Sequence, residues 1–245
     1  MNSLDFAGRV FTAAAETVNH LTEAITRLVD PGQPLEVLEV GCGTGEQLLS
    51  LATTLGKARC TGIDISRPNI VRARQAGEER GPHGRFTFVA GDYVNQELGV
   101  FDLIVSVSTL HLIECPADRL FAKVTRELKP NGLLVFTMPY SCAFNHTLWM
   151  TRRLFRLIRS PATDRLILAV GKKLHKNGVS EGLLRERIGY MYSLPHCYFG
   201  PALRRLLVRE CGLEPMAEMP LAHASLAQPK HRMYVFRKGG VPHAG

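Results

Sequence analysis

Six residues have the types and spacing to do chemistry: Glu39, Gly41, Gly43, Gly45, Asp64 and Asp92. They lie in LEVLEVGCGTGEQLL (35–49), GIDIS (62–66) and AGDY (90–93), each at the end of a short apolar run. Glycine at alternate positions lets a backbone turn tightly and approach a ligand closely. Two phosphate-binding readings fail. A Walker loop needs a lysine, and this loop has none; a dinucleotide fingerprint needs a third glycine where Glu46 stands. Glu39 and Glu46 flank the turn, so a pyrophosphate would meet like charge.

Three acids at three strand ends suit a ligand that carries a cation, a vicinal diol and an exocyclic amine. S-adenosylmethionine (SAM) has all three and no phosphate. Its charged methionine end suits a carboxylate. Asp64, 19 residues after Gly45, can accept from the ribose hydroxyls, and Asp92 from the adenine amino group. Taken singly, Asp64 and Asp92 read equally well as caps of the helices that follow.

The elements that must position these residues alternate strictly. Apolar spacing predicts a helix over 9–29, stopped by PGQP. LEVLEVG, CTGIDIS, RFTFVAGD, FDLIVSVSTL and GLLVFTMP read as strands. GEQLLSLATTLG, 68–79 and 116–129 read as the helices between them. That pattern predicts a doubly wound α/β sheet. It breaks at about residue 140 and returns at about 199 with the helix PALRRLLVRECG. LEPMAEMPL and HRMYVFR then offer an antiparallel edge.

With LEVGCGTG (38–45), GIDIS, AGDY, FDLIVSVSTLHLI (101–113) and LKPNGLLVF (128–136), the chain resembles the class I SAM-dependent methyltransferases. The resemblance covers about 35–138 and the C-terminal helix and strands. It implies the Rossmann-like methyltransferase fold, a seven-stranded and mostly parallel sheet in the order 3-2-1-4-5-7-6, the seventh strand antiparallel. It also implies roles. Gly41, Gly43 and Gly45 line the methionine part of SAM, with Cys42 a small residue between them. Glu39 supports the amino group. Asp64 holds the ribose, with Ile65 beside the adenine, and Asp92 and Tyr93 flank the adenine. Ser106 lies near the methyl group. S-adenosylhomocysteine is the expected product, and no metal is expected.

The acceptor is less legible. The [DNS]-P-P-[YFW] motif of nucleic-acid amine methylation is replaced by SVSTLHLI, and no Pro-Cys nucleophile is present, so nucleic acid is an unlikely partner. His111 and His196 are the candidate general bases. His111, Tyr140, Tyr192 and Tyr198 are candidates to line the acceptor pocket, and His146 and His175 are further imidazoles in the same stretch. Tyr192, His196 and Tyr198 could equally form a small core of the lid itself.

The chain has 245 residues and a formal charge of +8. Residues 151–210 carry thirteen basic and four acidic side chains, a surplus of nine that exceeds the whole net charge. In WMTRRLFRLIRSP (149–161), Arg152, Arg156 and Arg159 share one helix face, with Met150, Leu154, Leu157 and Ile158 opposite. The favoured reading is a lid with its apolar side on the pocket and its arginines in solvent. The second is a peripheral contact through 148–176 with anionic lipid or an acidic carrier protein, and RNA is the third. Six cysteines stand singly without metal-ligand spacing, and neither a secretory leader nor a membrane span is evident. A cytoplasmic protein is expected, with membrane-peripheral placement as the variant.

The expected organisation is an N-terminal helical cap (1–34), a SAM-binding α/β core (35–139), a helical basic lid (140–198) and a C-terminal helix with an antiparallel strand pair (199–245). The expected function is methyl transfer from SAM to a small, apolar or aromatic metabolite, O-methylation favoured. The alternatives are a lipid, quinone precursor or carrier-bound acyl acceptor, and a non-catalytic SAM-binding sensor.

Overall fold

A computed structural model describes residues 15–81, 84–174, 188–221 and 229–240. Helix α1 (Ala15–Thr26) precedes strand β1 (Glu36–Val40). Then come α2 (Glu46–Thr54), β2 (Arg59–Asp64), α3 (Arg67–Arg80), β3 (Phe86–Ala90), β4 (Phe101–Val107), α4 (Ala117–Arg126) and β5 (Leu128–Pro139). The seven-stranded sheet is completed by β6 (Leu213–Pro220) and β7 (His231–Lys238), in the order β3-β2-β1-β4-β5-β7-β6. β7 runs antiparallel to both neighbours, and the other pairings are parallel. The order and the single reversed strand match the expectation from sequence.

Strand alternation sorts the core into two layers. Leu38, Val40, Ile104, Leu134 and Phe136 face one layer with Phe121, Phe199 and Tyr234. Val37, Leu103, Val105 and Val135 face the other, with Leu48, Leu51 and Leu21. Glu39 shares the parity of Val37, so its carboxylate points to the α2 side at the carboxyl end of β1. A doubly wound sheet opens its ligand crevice there.

Local signals explain the helix starts. Ser66 caps α3, its hydroxyl accepting from the Asn69 amide at 3.4 Å, with a proline in the first turn. Gly45, at φ 89°, turns the chain into α2. α4 ends in the buried ion pair Lys123–Glu127, whose side chains are 6% and 3% exposed. The single helix expected over 201–212 is instead a short α7 (Pro201–Arg205) and a wider π-helical turn over Leu206–Glu210.

The insertion leaves and re-enters the sheet at one point. Tyr140 bridges Phe199, Ser141 donates to the Phe199 carbonyl at 2.9 Å, and Phe199 donates to that of Pro139 at 2.9 Å. Beyond the bridge lie α5 (Ala143–Leu157) and α6 (Pro161–Leu174). The orientation expected for α5 is met only in part: Arg156 and Arg159 are exposed as expected, but the apolar side is exposed too and Arg152 turns inward. Met150, Leu154, Leu157 and Ile158 are 54–76% exposed, whereas Arg152 is 6% exposed. Asn145 explains the rotation. Its amide donates to the carbonyls of Tyr140 (2.7 Å) and Lys230 (2.9 Å) and accepts from the Lys230 amide (2.7 Å). Arg152 is seven residues on, two turns along the same face, and is carried inward with it. There its Nη1 donates to the Ser193 carbonyl at 3.4 Å. Burial pushes its guanidinium down to about 10.

Candidate active site at the carboxyl ends of the strands

The glycine turn is held against the end of β2. The amides of Gly41 and Cys42 donate to the Ile63 carbonyl at 2.8 and 3.0 Å. The Gly43 amide donates to Asp64 Oδ2 at 2.9 Å. Gly41, Gly43 and Gly45 all adopt left-handed backbone, with φ of 77°, 55° and 89°. At Gly41 space also decides: a Cβ there would lie 2.2 Å from Thr109 Oγ1. Thr109, which the sequence reading missed, therefore sits on the turn from the loop after β4.

Glu39 is 2% exposed, and its Oε2 has no hydrogen-bond partner. Burial pushes its carboxyl well above the usual carboxylate range, and the neighbouring Glu46 and Asp64 charges push it further. A backbone hydrogen bond from Leu48 opposes the shift and leaves one buried oxygen open, as suits a cation. Glu46 is held by the hydroxyl of Thr44. A phosphate here would face three acids, whereas the ammonium of SAM would supply the missing partner.

Asp64 Oδ1 accepts from the Ser66 amide (2.8 Å) and the Asn69 side chain (3.3 Å). Burial outweighs these donors and raises its pKa. Oδ2, which accepts from the Gly43 amide, keeps a lone pair that can receive a ribose hydroxyl. Asn69 is a second support that the sequence reading missed. Ile65 is half-buried beside it. β3 ends close by, the Gly91 amide donating to the Asp64 carbonyl at 3.0 Å. Asp92 caps the next turn, accepting from the Val94 amide at 3.1 Å and the Asn95 side chain at 2.8 Å.

Three expected contacts need correction. Tyr93 turns its ring into the core, where its hydroxyl donates to Glu127 at 2.8 Å, so only its backbone stays beside Asp92. The Ser106 hydroxyl is fully buried and donates to the Val40 carbonyl at 2.9 Å, joining β4 to β1. Tyr192 is fully buried under Arg159, its hydroxyl on Asp164, within the packing of the insertion rather than on an acceptor. Cys42 is buried against the position of a Gly62 Cβ, and burial pushes its thiol well up, as fits a filler and not a nucleophile.

The strand ends on the acceptor side gather imidazoles. His111 lies in the turn after β4 and is 4% exposed. Its ring meets that of His231, at the start of β7, edge-on with centroids 5.4 Å apart. His111 Nδ1 has no hydrogen-bond partner. Burial holds its pKa well below the usual imidazole value, and its neighbours, the Arg152 guanidinium among them, push the same way. The His196 amide donates to the His111 carbonyl at 2.7 Å, but its own ring is exposed, 4.0 Å from Glu114. Tyr198 stacks near His146 (5.4 Å), and burial pushes its phenol up to about 12. Tyr140 lies half-buried under the Arg232 guanidinium, 4.4 Å away. His175 lies outside the described residues. No group of three or more metal-ligating side chains occurs among the described residues.

A family model described as a methyltransferase domain matches residues 37–132. The magnesium-protoporphyrin O-methyltransferase of Rhodobacter capsulatus is 32% identical over 162 residues, covering 62% of this chain and 69% of that protein. The chain belongs to the class I SAM-dependent methyltransferases. Within this methyltransferase family, the malonyl-[acyl-carrier protein] O-methyltransferase of Geobacter sulfurreducens is 35% identical over 108 residues. That match covers 43% of this chain and 39% of the relative, so the chain spans about two fifths of that relative's length. The fold recurs in the SAH-bound magnesium protoporphyrin IX methyltransferase of Synechocystis, with a TM-score of 0.59 at 16% identity, over 91% of this chain and 83% of that chain.

Proposed function

We propose that the chain transfers the methyl group of SAM to an oxygen of a small, apolar or aromatic metabolite. The observation that carries the reading is the buried Glu39 carboxylate, with one oxygen left without a partner, beside a glycine turn that Asp64 holds in place. Glu39 would hold the amino group, the turn the methionine chain, Asp64 the ribose, and Ile65 with Asp92 the adenine. Bound SAM supplies an electrophilic methyl with a good leaving group.

What remains for the protein is alignment, exclusion of water and removal of one proton. His111 suits the last task. Burial keeps the imidazole neutral, and its partnerless Nδ1 is the atom that would take the proton, at the cost of the basicity that burial removes. His196, Tyr140 and Tyr198 would surround the acceptor, with the Tyr198 hydroxyl, which donates to the Asn145 carbonyl at 3.5 Å, able to accept from it. The aromatic side chains and the buried Arg152 suit an acceptor with a flat apolar body and an acidic oxygen.

A second reading has the acceptor as a lipid, a quinone precursor or a carrier-bound acyl group. The exposed apolar flank of α5 favours it, and a relative is named for a carrier-bound malonyl group. Placement is then soluble or membrane-peripheral. No helix among the described residues is long and apolar enough to cross a membrane.

Methyl-labelled SAM incubated with protein and a lysate of the host tests the function. Label in the organic-soluble fraction, dependent on His111, supports a metabolite or lipid acceptor. Label in protein that hydroxylamine releases as a small acyl product points to the carrier-bound acceptor, whereas label retained in protein, or found in nucleic acid, overturns it. Binding of SAM without transfer to any fraction would favour a sensor.

A further inference from the structure

The molecule has an exposed apolar face with a charge of one sign around it. Ten large apolar side chains are well exposed among the described residues, and six of them lie between positions 150 and 170. Met150 (54%), Leu154 (60%), Leu157 (76%) and Ile158 (62%) form one stripe at helical spacing along α5. Leu166 (58%) and Val170 (48%) stand one turn apart on α6. Single exposed leucines need no explanation, but a cluster of this kind does.

The fold enforces this exposure. Asn145 and Arg152 occupy the inward side of α5, so the apolar stripe has nowhere to go but outward. On α5 the exposed Arg153 flanks the stripe, and Arg165, Lys172 and Lys173 are exposed on α6, while Arg156 and Arg159 are exposed on the other side of α5. Residues 148–174 hold seven basic side chains and one acidic, Asp164, whose carboxylate already accepts from Tyr192. Trp149 is half-buried at the edge, with the Arg153 guanidinium 5.3 Å from its ring centre. An indole with one wet edge suits a boundary between water and hydrocarbon.

We propose that the α5–α6 face docks on an anionic lipid bilayer. The apolar stripe enters the acyl boundary, and the arginines and lysines meet the headgroup phosphates. Charge complementarity selects this occupant. A second copy of the chain would set two strongly basic faces against each other. A nucleic acid would satisfy the basic rim but leave the central leucines without an apolar partner. The docked helix is joined to the strand ends, because Arg152 links α5 to Ser193 and the following segment bonds to His111 through the His196 amide. The inference stands apart from the methyl-transfer reading, since it concerns a surface and not the reaction.

The test is cosedimentation of the full chain with phosphatidylcholine vesicles, with and without phosphatidylglycerol. Binding is expected to be at least about tenfold tighter with phosphatidylglycerol and to weaken as salt rises. The pair Leu154→Glu/Leu157→Glu should lower that binding by about a hundredfold, with the urea midpoint unchanged. Val71→Glu, at an exposed position (54%) on α3, controls for added charge and should have only a small effect. Absence of binding by the folded wild type, or equal binding by the double variant, overturns the proposal. So does self-association without vesicles that the double variant abolishes, which would make the face a homodimer interface.

Discussion

Gly41 is where the account makes its most exacting structural demand. An alanine there meets two separate costs. Left-handed backbone at φ 77° costs an L-residue about 1–2 kcal/mol. The added Cβ would also lie 2.2, 2.4 and 2.6 Å from three atoms of the Thr109 side chain, and forcing such contact costs about 1–3 kcal/mol more. Gly41→Ala should therefore lose roughly 2–5 kcal/mol in urea unfolding, by the sum of these terms. Gly84 isolates the first cost, since it has φ 84° and nothing within 4 Å of its Cβ position. Gly84→Ala should lose only about 1–2 kcal/mol. Thr109→Gly removes all three clashing atoms, though it also removes the hydroxyl bond to the Val107 carbonyl at 3.1 Å. The double variant should consequently show a favourable coupling of about 1–3 kcal/mol against the sum of the singles. If Gly41→Ala costs no more than Gly84→Ala, or if Thr109→Gly recovers nothing, the close packing of this turn is refuted.

Three other expectations follow from buried charge. Glu39 has a raised folded pKa, so lowering the pH from neutral protonates it and removes the partner for a cation; calorimetric SAM affinity should fall with pH, and Glu39→Gln should flatten that slope. His111 has a depressed folded pKa, so below about 6.5 the unfolded chain binds a proton that the folded one does not; stability falls with pH by up to about 1.4 kcal/mol per unit from this group, and His111→Gln should remove that part from the urea midpoints. Glu127→Ala leaves the Lys123 ammonium and the Tyr93 hydroxyl buried without it and should cost about 3–5 kcal/mol, whereas Lys123→Met with Glu127→Met should restore much of the loss.

The parts of the site that sequence revealed are those fixed by local chemistry. Glu39, the glycine turn and Asp64 sit at strand ends, where alternation and connection length determine what meets. The sheet order came from the family resemblance, and the coordinates follow it. The parts that sequence concealed depend on rotation and on distant partners. A helical wheel separates the two faces of α5 but does not say which is inward; that was decided by Asn145 bonding to Lys230, 85 positions away. His231 meets His111 only because β7 returns antiparallel beside β5, pairing His231 with Pro139. Tyr93 adjoins a motif residue yet turns away from it, because Glu127 offers its hydroxyl a buried acceptor. Thr109 gave no sign in its own segment; the demand for glycine at Gly41 was the only hint that something stood over the turn.

The central claim is that the strand-end acids and the glycine turn form a SAM site. Titration calorimetry of the full chain with SAM, and with ATP as a phosphate-bearing adenosine, tests it most directly. The account predicts saturable one-site binding of SAM, weakened at least about tenfold in a folded Asp64→Ala variant that has lost its diol acceptor, and no binding of ATP at that site. SAM affinity unchanged by Asp64→Ala, or ATP bound in its place, would contradict the account.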